Sequence, residues 1–202
     1  MSRTAFDNTV AGDEANRLAF VWLSQPNVDA CYLQWNKHLK SYNFFGGHVD
    51  EGEDFYTAVC RELAEELAAS SDGQREALER YGLTLAPDAA FQAELAHVCQ
   101  RMPTTPAVRE PALSFYSLRY AANVTRDVAL FNLSLSAHDL HILTRLQLMS
   151  QFVPSPALAQ ALNMPAGGVP IVKAFSRREL ADYGRQAKYN PFITWATALL
   201  VA

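Results

Sequence analysis

The chain lacks a surplus of basic residues, has few cysteines and contains no long apolar run. Its 17 Lys and Arg are outnumbered by 21 Asp and Glu, leaving a net charge of −4 and a pI near 5.7. That balance argues against a basic face for bulk nucleic acid or anionic membrane, although it leaves a small nucleotide ligand open. Cys31, Cys60 and Cys99 are odd in number and widely spaced, which suits neither a disulfide framework nor a paired CxxC metal site. They read as reduced, buried thiols. The longest uncharged apolar run, Ile193 to Ala202, is too short to span a bilayer, and the opening Met-Ser-Arg-Thr-Ala-Phe-Asp has no apolar stretch before its first acid. A cytoplasmic location with no membrane partner is the expectation. Internal repeats and low-complexity tracts are also missing. Half of the 202 residues are apolar, enough for one core, so a single globular unit is expected.

The N-terminal third alternates short apolar runs with turn residues. Leu18 to Leu23 and Ala30 to Trp35 read as adjacent strands around Ser-Gln-Pro-Asn, and Tyr42 to Phe45 as a further extended piece entering Gly46-Gly47. From Asp54 the period becomes helical, with Tyr56, Val59, Cys60, Leu63 and Leu67 on one face. A helix over 54–69 follows, stopping at Ser70 to Gly73, with a short helix over 74–81. Strands over 91–101 and 112–120, joined by a Pro-rich loop, point to a mixed or antiparallel sheet. Ser136 with Asp139 resembles a capping box, placing a helix over 137–151 within a helical insertion around 126–165. The apolar stripe of that helix either closes the core or pairs two subunits as a homodimer. A short strand over 170–174, a helix from Ser176 to near Gly184 and a final helix from Pro191 complete the reading.

The chemistry concentrates between Asp50 and Glu66, where seven acids face one base, a local charge of −6. On a helix, Glu62, Glu65 and Glu66 lie at i, i+3 and i+4, so three carboxylates share the face opposite Val59, Leu63 and Leu67. Such a face is usually just solvated. Here, however, only Arg61 offsets the mutual repulsion, and clustered hard oxygen donors suit Mg²⁺ or Mn²⁺ together with phosphate oxygens.

The spacing goes further. GHVDEGEDFYTAVCRELAEEL resembles the Nudix box, Gx5Ex7REUxEExGU, at every charged position. At residue usages of about 5 to 7%, six fixed identities arise by chance on the order of once per ten million start points. The flanks also resemble that family: strands before the box, GGHV leading into it, and KAFSRREL (173–180) like its late strand-to-helix segment.

The resemblance implies an α/β (α+β) fold, an α/β/α sandwich with a mixed sheet between helices. It also implies Mg²⁺- or Mn²⁺-dependent hydrolysis of a small nucleoside diphosphate linked to another moiety, such as a nucleotide sugar, ADP-ribose-like compound or dinucleotide. By the same resemblance Glu62, Glu65 and Glu66 bind metal, with the Gly47 carbonyl as a further ligand. Arg61 orients the carboxylates, with Glu53 as its partner or as another ligand. Glu65 or Glu66 is the candidate base within the box, while Glu110 and Asp139 are candidates outside it. Gly46, Gly47 and His48 form the substrate-side loop, and Arg101, Arg109 and Arg119 are candidate phosphate contacts. Two departures stand out. Ala68 replaces the Gly that lets the helix end in a left-handed turn, and Phe45, read as a core aromatic, replaces the usual proline. The insertion over 70–87 disrupts the count that sorts the family by substrate. The alternative functions are a non-catalytic nucleotide-sensing Nudix domain and, ranked last, an isoprenoid diphosphate isomerase using a Cys and a Glu.

Overall fold

A computed structural model describes residues 16–67, 89–117, 120–165, 168–187 and 190–200. Ala68, Ala69, the stop at 70–73, the helix expected over 74–81 and Arg119 lie outside them.

Seven strands form one mixed sheet. The strands β1 (Arg17–Gln25), β2 (Ala30–Asn36), β3 (Ser41–Asn43), β5 (Val108–Ser117) and β6 (Ala122–Ser134) run in the order β3-β2-β1-β6-β5. The remaining two, β4 (Phe45–His48) and β7 (Val172–Phe175), pair with β1 and β2. All pairings are antiparallel except that of β1 with β6, which is parallel over eight residue pairs from Arg17↔Asp127 to Ser24↔Ser134. Both central strands carry near-continuous apolar runs, as strands buried on two faces require: Leu18 to Leu23 and Val128 to Phe131 are all buried.

Alternation along the parallel pair assigns the two faces. Phe20 lies beside Leu130, and Val21 beside Phe131, so Phe20 and Phe131 point to opposite sides. Phe131 meets Tyr56 of α1 (Phe55–Leu67), ring centroids 6.5 Å apart. Phe20 meets Phe192 of α6 (Pro191–Leu200) at 5.0 Å, and Phe115 of β5 joins from the same side at 5.2 Å. Helix α1 therefore covers one face. The other is covered by α6 with α5 (Arg177–Gln186), which packs on β2 and β7. This is the expected α/β/α sandwich.

Helices α2 (Ala89–Arg101) and α3 (Leu140–Gln151) pack on each other beside α1, and a short α4 (Pro156–Ala161) follows. Residues 91–101, expected as a strand, are thus helical. The pattern that decides it is Phe91, Leu95, Val98 and Met102, all buried and at i, i+4, i+7 and i+11, within an alanine-rich stretch of high helix propensity. The helix expected over 137–151 begins at Leu140. Asp139 turns its carboxylate back onto the Ser136 amide (2.6 Å) and hydroxyl (3.1 Å), closing a turn before the helix. Residues 126–134 belong to β6, so the stretch expected as a helical insertion opens with a central strand.

The first turn of α3 takes its cap from a neighbour. Glu94 of α2 accepts from the backbone amides of His141 (3.2 Å) and Ile142 (2.9 Å), satisfying donors that α3 cannot satisfy itself. Among the described residues no helix is long and apolar enough to cross a membrane. Glu94→Ala is expected to cost about 1 to 2 kcal/mol of unfolding free energy, as capping losses do, while Glu94→Gln keeps most of it. Urea denaturation compares the two, and equal loss in both variants contradicts the capping role.

Candidate active site

Asp54 starts the acidic helix. Its carboxylate accepts from the Thr57 amide at 2.7 Å, and this bond holds its pKa below the ordinary value. Immediately before it, Asp50 to Glu53 forms a tight turn in which the Glu53 amide donates to the Asp50 carbonyl (3.0 Å) and Glu53 Oε2 accepts from the Asp50 amide (3.1 Å). Gly52 sits in that turn at φ +79° with open space around it. Phe55 then packs beneath two guanidinium groups, Arg17 at 4.4 Å and Arg109 at 5.0 Å from its centroid. Arg17 also donates to the Glu53 carbonyl (3.1 Å), and Asp127 holds Arg109 by a two-toothed ion pair at 2.7 and 3.0 Å.

Arg61 is the hub. Its Nε and Nη2 each donate to a Glu53 oxygen at 3.0 Å, its Nη1 reaches Glu62 at 3.1 Å and Glu65 at 3.4 Å, and Nη2 also donates to the His48 carbonyl at 2.9 Å. Asp50 adds an ion pair at 3.5 Å. One planar fork thus ties the loop before the helix to the helix. Glu53 in return has its pKa lowered, chiefly by the bond from Arg61.

The two glycines make the carboxylates fit. Gly46 has φ +128°, and a Cβ there would lie 2.1 Å from the Ala19 carbonyl oxygen across the β1–β4 pairing. No other residue can take that place. Its amide donates to Glu66 Oε2 at 2.7 Å. At Gly47 a Cβ would meet the Glu62 carboxylate at 2.7 to 2.8 Å, so the missing side chain is the room in which Glu62 sits. His48 is exposed on the last residue of β4, and Phe45 is fully buried, a core aromatic.

Burial pushes the Glu62 and Glu66 carboxyls above the ordinary 4.5, Glu66 the further, and their mutual repulsion and that of Glu65 add to it. Glu65 is more exposed, with 53% of its side chain accessible. The three are not gathered into a finished metal cage, and among the described residues no group of three His, Cys, Asp or Glu forms one. Glu62 and Glu65 lean on Arg61, and Glu66 on Gly46. The donors are nonetheless all oxygen and carry excess negative charge on one helix face, so they fit a hard divalent cation.

The NUDIX domain family model matches residues 13–107. Over those residues the chain carries a Nudix domain. No curated protein and no solved structure gave a match. The matched stretch holds the box and β1 to β4. The Nudix sheet is completed by β5, β6 and β7 from beyond it.

Two residues considered as bases outside the box sit elsewhere. Glu110 lies on β5 rather than in the preceding loop. Beside Val128, it shares the face of Leu18, opposite α1, and accepts from the Ala112 amide at 3.3 Å. Asp139 is buried. Burial alone would raise its pKa, but Arg101 at 2.6 Å and Ser136 hold it low. Arg101 and Arg109 are likewise committed, to Asp139 and Asp127. Cys60 and Cys99 are both partly buried against the core. Sequence reasoning missed the parts played by Asp50 and Arg17.

Arg61→Lys keeps the charge and loses the fork. It is expected to cost about 1.5 to 3 kcal/mol in urea denaturation, as for hydrogen bonds to charged groups. A loss no larger than that of an exposed ion pair, below about 1 kcal/mol, would contradict the hub role.

A carboxyl with a raised folded-state pKa takes up protons on folding, so its contribution to stability falls as pH rises between its unfolded and folded values. Glu62 and Glu66 are of this kind, whereas the lowered Glu53, Asp54 and Asp139 titrate below that window. Without divalent cation, the melting temperature should therefore fall from about pH 5 to pH 7, and Mg²⁺ should raise it more at pH 7. Melts at fixed ionic strength check this, and a cation-free melting temperature that climbs across the window contradicts it.

Proposed function

We propose that the protein hydrolyses the pyrophosphate bond of a small nucleoside diphosphate linked to another moiety, a nucleotide sugar, ADP-ribose-like compound or dinucleotide, with Mg²⁺ or Mn²⁺. Membership of a family that cleaves pyrophosphate bonds supports the reaction class. The observation that carries the reading is the Arg61 fork on Glu53, with Glu62, Glu65 and Glu66 set around it against Gly46 and Gly47.

In this reading Glu62, Glu65 and Glu66 hold the cation, with the Gly47 carbonyl as a further ligand. When bound, the cation lowers the pKa of a water and neutralises charge on the leaving diphosphate. Arg61 and Glu53 keep the ligand carboxylates oriented and hold the loop at His48 still. Gly46 to His48 border the phosphates. The base comes from within the box. Glu65 is the more accessible of the two candidates, and Glu66 is better fixed by its bond from the Gly46 amide.

The test is incubation with Mg²⁺ and a panel of ADP-ribose, NADH, diadenosine polyphosphates, nucleotide sugars and nucleoside triphosphates. Metal-dependent turnover of at least one compound is expected, and none at all would overturn the reading. Glu66→Gln should lower kcat by at least about a hundredfold, in the range for loss of a ligand or general base, with its circular dichroism spectrum unchanged. Near-normal turnover in that variant moves the catalytic role off Glu66.

A further inference from the structure

Arg17 opens β1, ahead of the buried apolar run Leu18 to Leu23, and is itself only partly buried. Three contacts tie it to the passage from β4 into α1. Its backbone carbonyl accepts from the Val49 amide at 3.1 Å, one step beyond the pairing of Leu18 with His48. Its Nη1 donates to the Glu53 carbonyl at 3.1 Å, and the guanidinium lies 4.4 Å from the centre of the Phe55 ring. One residue of β1 thus grips both ends of the stretch 49–53 and the helix start behind it. That stretch carries Asp50, Glu51 and Glu53, with Asp54 next, and no base. A segment of such charge extends by self-repulsion unless it is held. Here it is held from two sides, by Arg17 at the Glu53 carbonyl and by Arg61 at both oxygens of the Glu53 carboxylate, 3.0 Å each. Glu53 is where the two grips meet. Strand β1 gives Arg17 a fixed base, since Arg17 to Ser24 run in register with Asp127 to Ser134 of β6.

We propose that Arg17 is a positioning residue for metal binding: by fixing the Glu53 backbone against β1, it sets the Glu53 carboxylate where it orients Arg61 and, through Arg61, the carboxylates of Glu62 and Glu65. Donating to the carbonyl while stacking on Phe55 takes a flat guanidinium, and an ammonium keeps only the charge and a donor. A hydrogen-bonded partner outside the ligand set typically changes metal affinity 10- to 100-fold. Arg17 stands further back than a ligand's own partner, so the lower end, about tenfold, is expected. The inference rests on the reading of Glu62, Glu65 and Glu66 as metal ligands.

The experiment uses the full chain and Mn²⁺ alone, with affinity read from the free-Mn²⁺ signal in electron paramagnetic resonance, and amide hydrogen exchange of the cation-free protein beside it. Arg17→Met removes the donor and keeps an apolar stem over Phe55. It should bind Mn²⁺ about tenfold more weakly, with Arg17→Lys between it and the wild type. Exchange should quicken at the amides of 50–57 while those of β6 keep their protection, which marks a local release rather than a general loss of stability. Glu53→Ala should also weaken Mn²⁺ binding, and adding Arg17→Met to it should cost much less than Arg17→Met alone, because Arg17 acts through Glu53. Wild-type affinity in Arg17→Met, or in Arg17→Lys should the first not fold, overturns the proposal. So does a full additive loss in the double variant, or exchange that quickens evenly through the sheet. If Glu62→Gln and Glu66→Gln both bind Mn²⁺ like the wild type, the ligand reading falls first and this proposal falls with it.

Discussion

The geometry of the acidic helix depends on one guanidinium. Arg61 sits among carboxylates that repel one another, and it reaches five acceptor residues with a planar group that cannot lose its charge. The two-toothed grip on Glu53 matters most. It crosses from the helix to the turn before it and fixes where the strand β4 stops and α1 begins. Without it, the Asp50 to Glu53 turn would carry negative charge beside a negative helix with nothing between them.

Charge is the problem the rest of the site answers. Glu62 fits only because Gly47 has no side chain, and the half-buried Glu66 is held by the Gly46 amide. These partners are enough to keep the carboxylates in place but not to neutralise them, since both stay above the ordinary pKa. In the folded chain their anionic forms are therefore disfavoured, and the proposed cation would offset that cost.

What the sequence makes legible follows from how local each interaction is. Helix α1, its apolar face and the carboxylate set are fixed by spacing within 13 residues, and that pattern can be read directly. The strand-to-helix passage at 173–180 was legible for the same reason, since Ser176 and Glu179 complete a capping box. Strand β6 was not. Its first half, Asn123 to Asp127, is polar and half-exposed because it projects past the start of β1, and its apolar half forms only by lying parallel to a strand more than a hundred residues away. Residues 91–101 were misjudged although Phe91, Leu95 and Val98 do fall at helical spacing, because an aromatic at the start and a cysteine and valine near the end suggest a strand.

Helix α1 is held at three levels along its length. At its start Phe55 is wedged under Arg17 and Arg109, the latter fastened to Asp127 on β6. In its middle Arg61 binds the preceding turn, and near its end Glu66 is bonded to β4. An α-helix of this length transmits displacement along its axis as a stiff rod, so loosening any one anchor shifts all three carboxylates together. The lowest anchor depends on β5 and β6, which lie outside the stretch matched by the family model. The precision of the box carboxylates is thus a property of the whole sheet, and a substitution at Asp127 or Arg109 reaches them through Phe55 without touching the box.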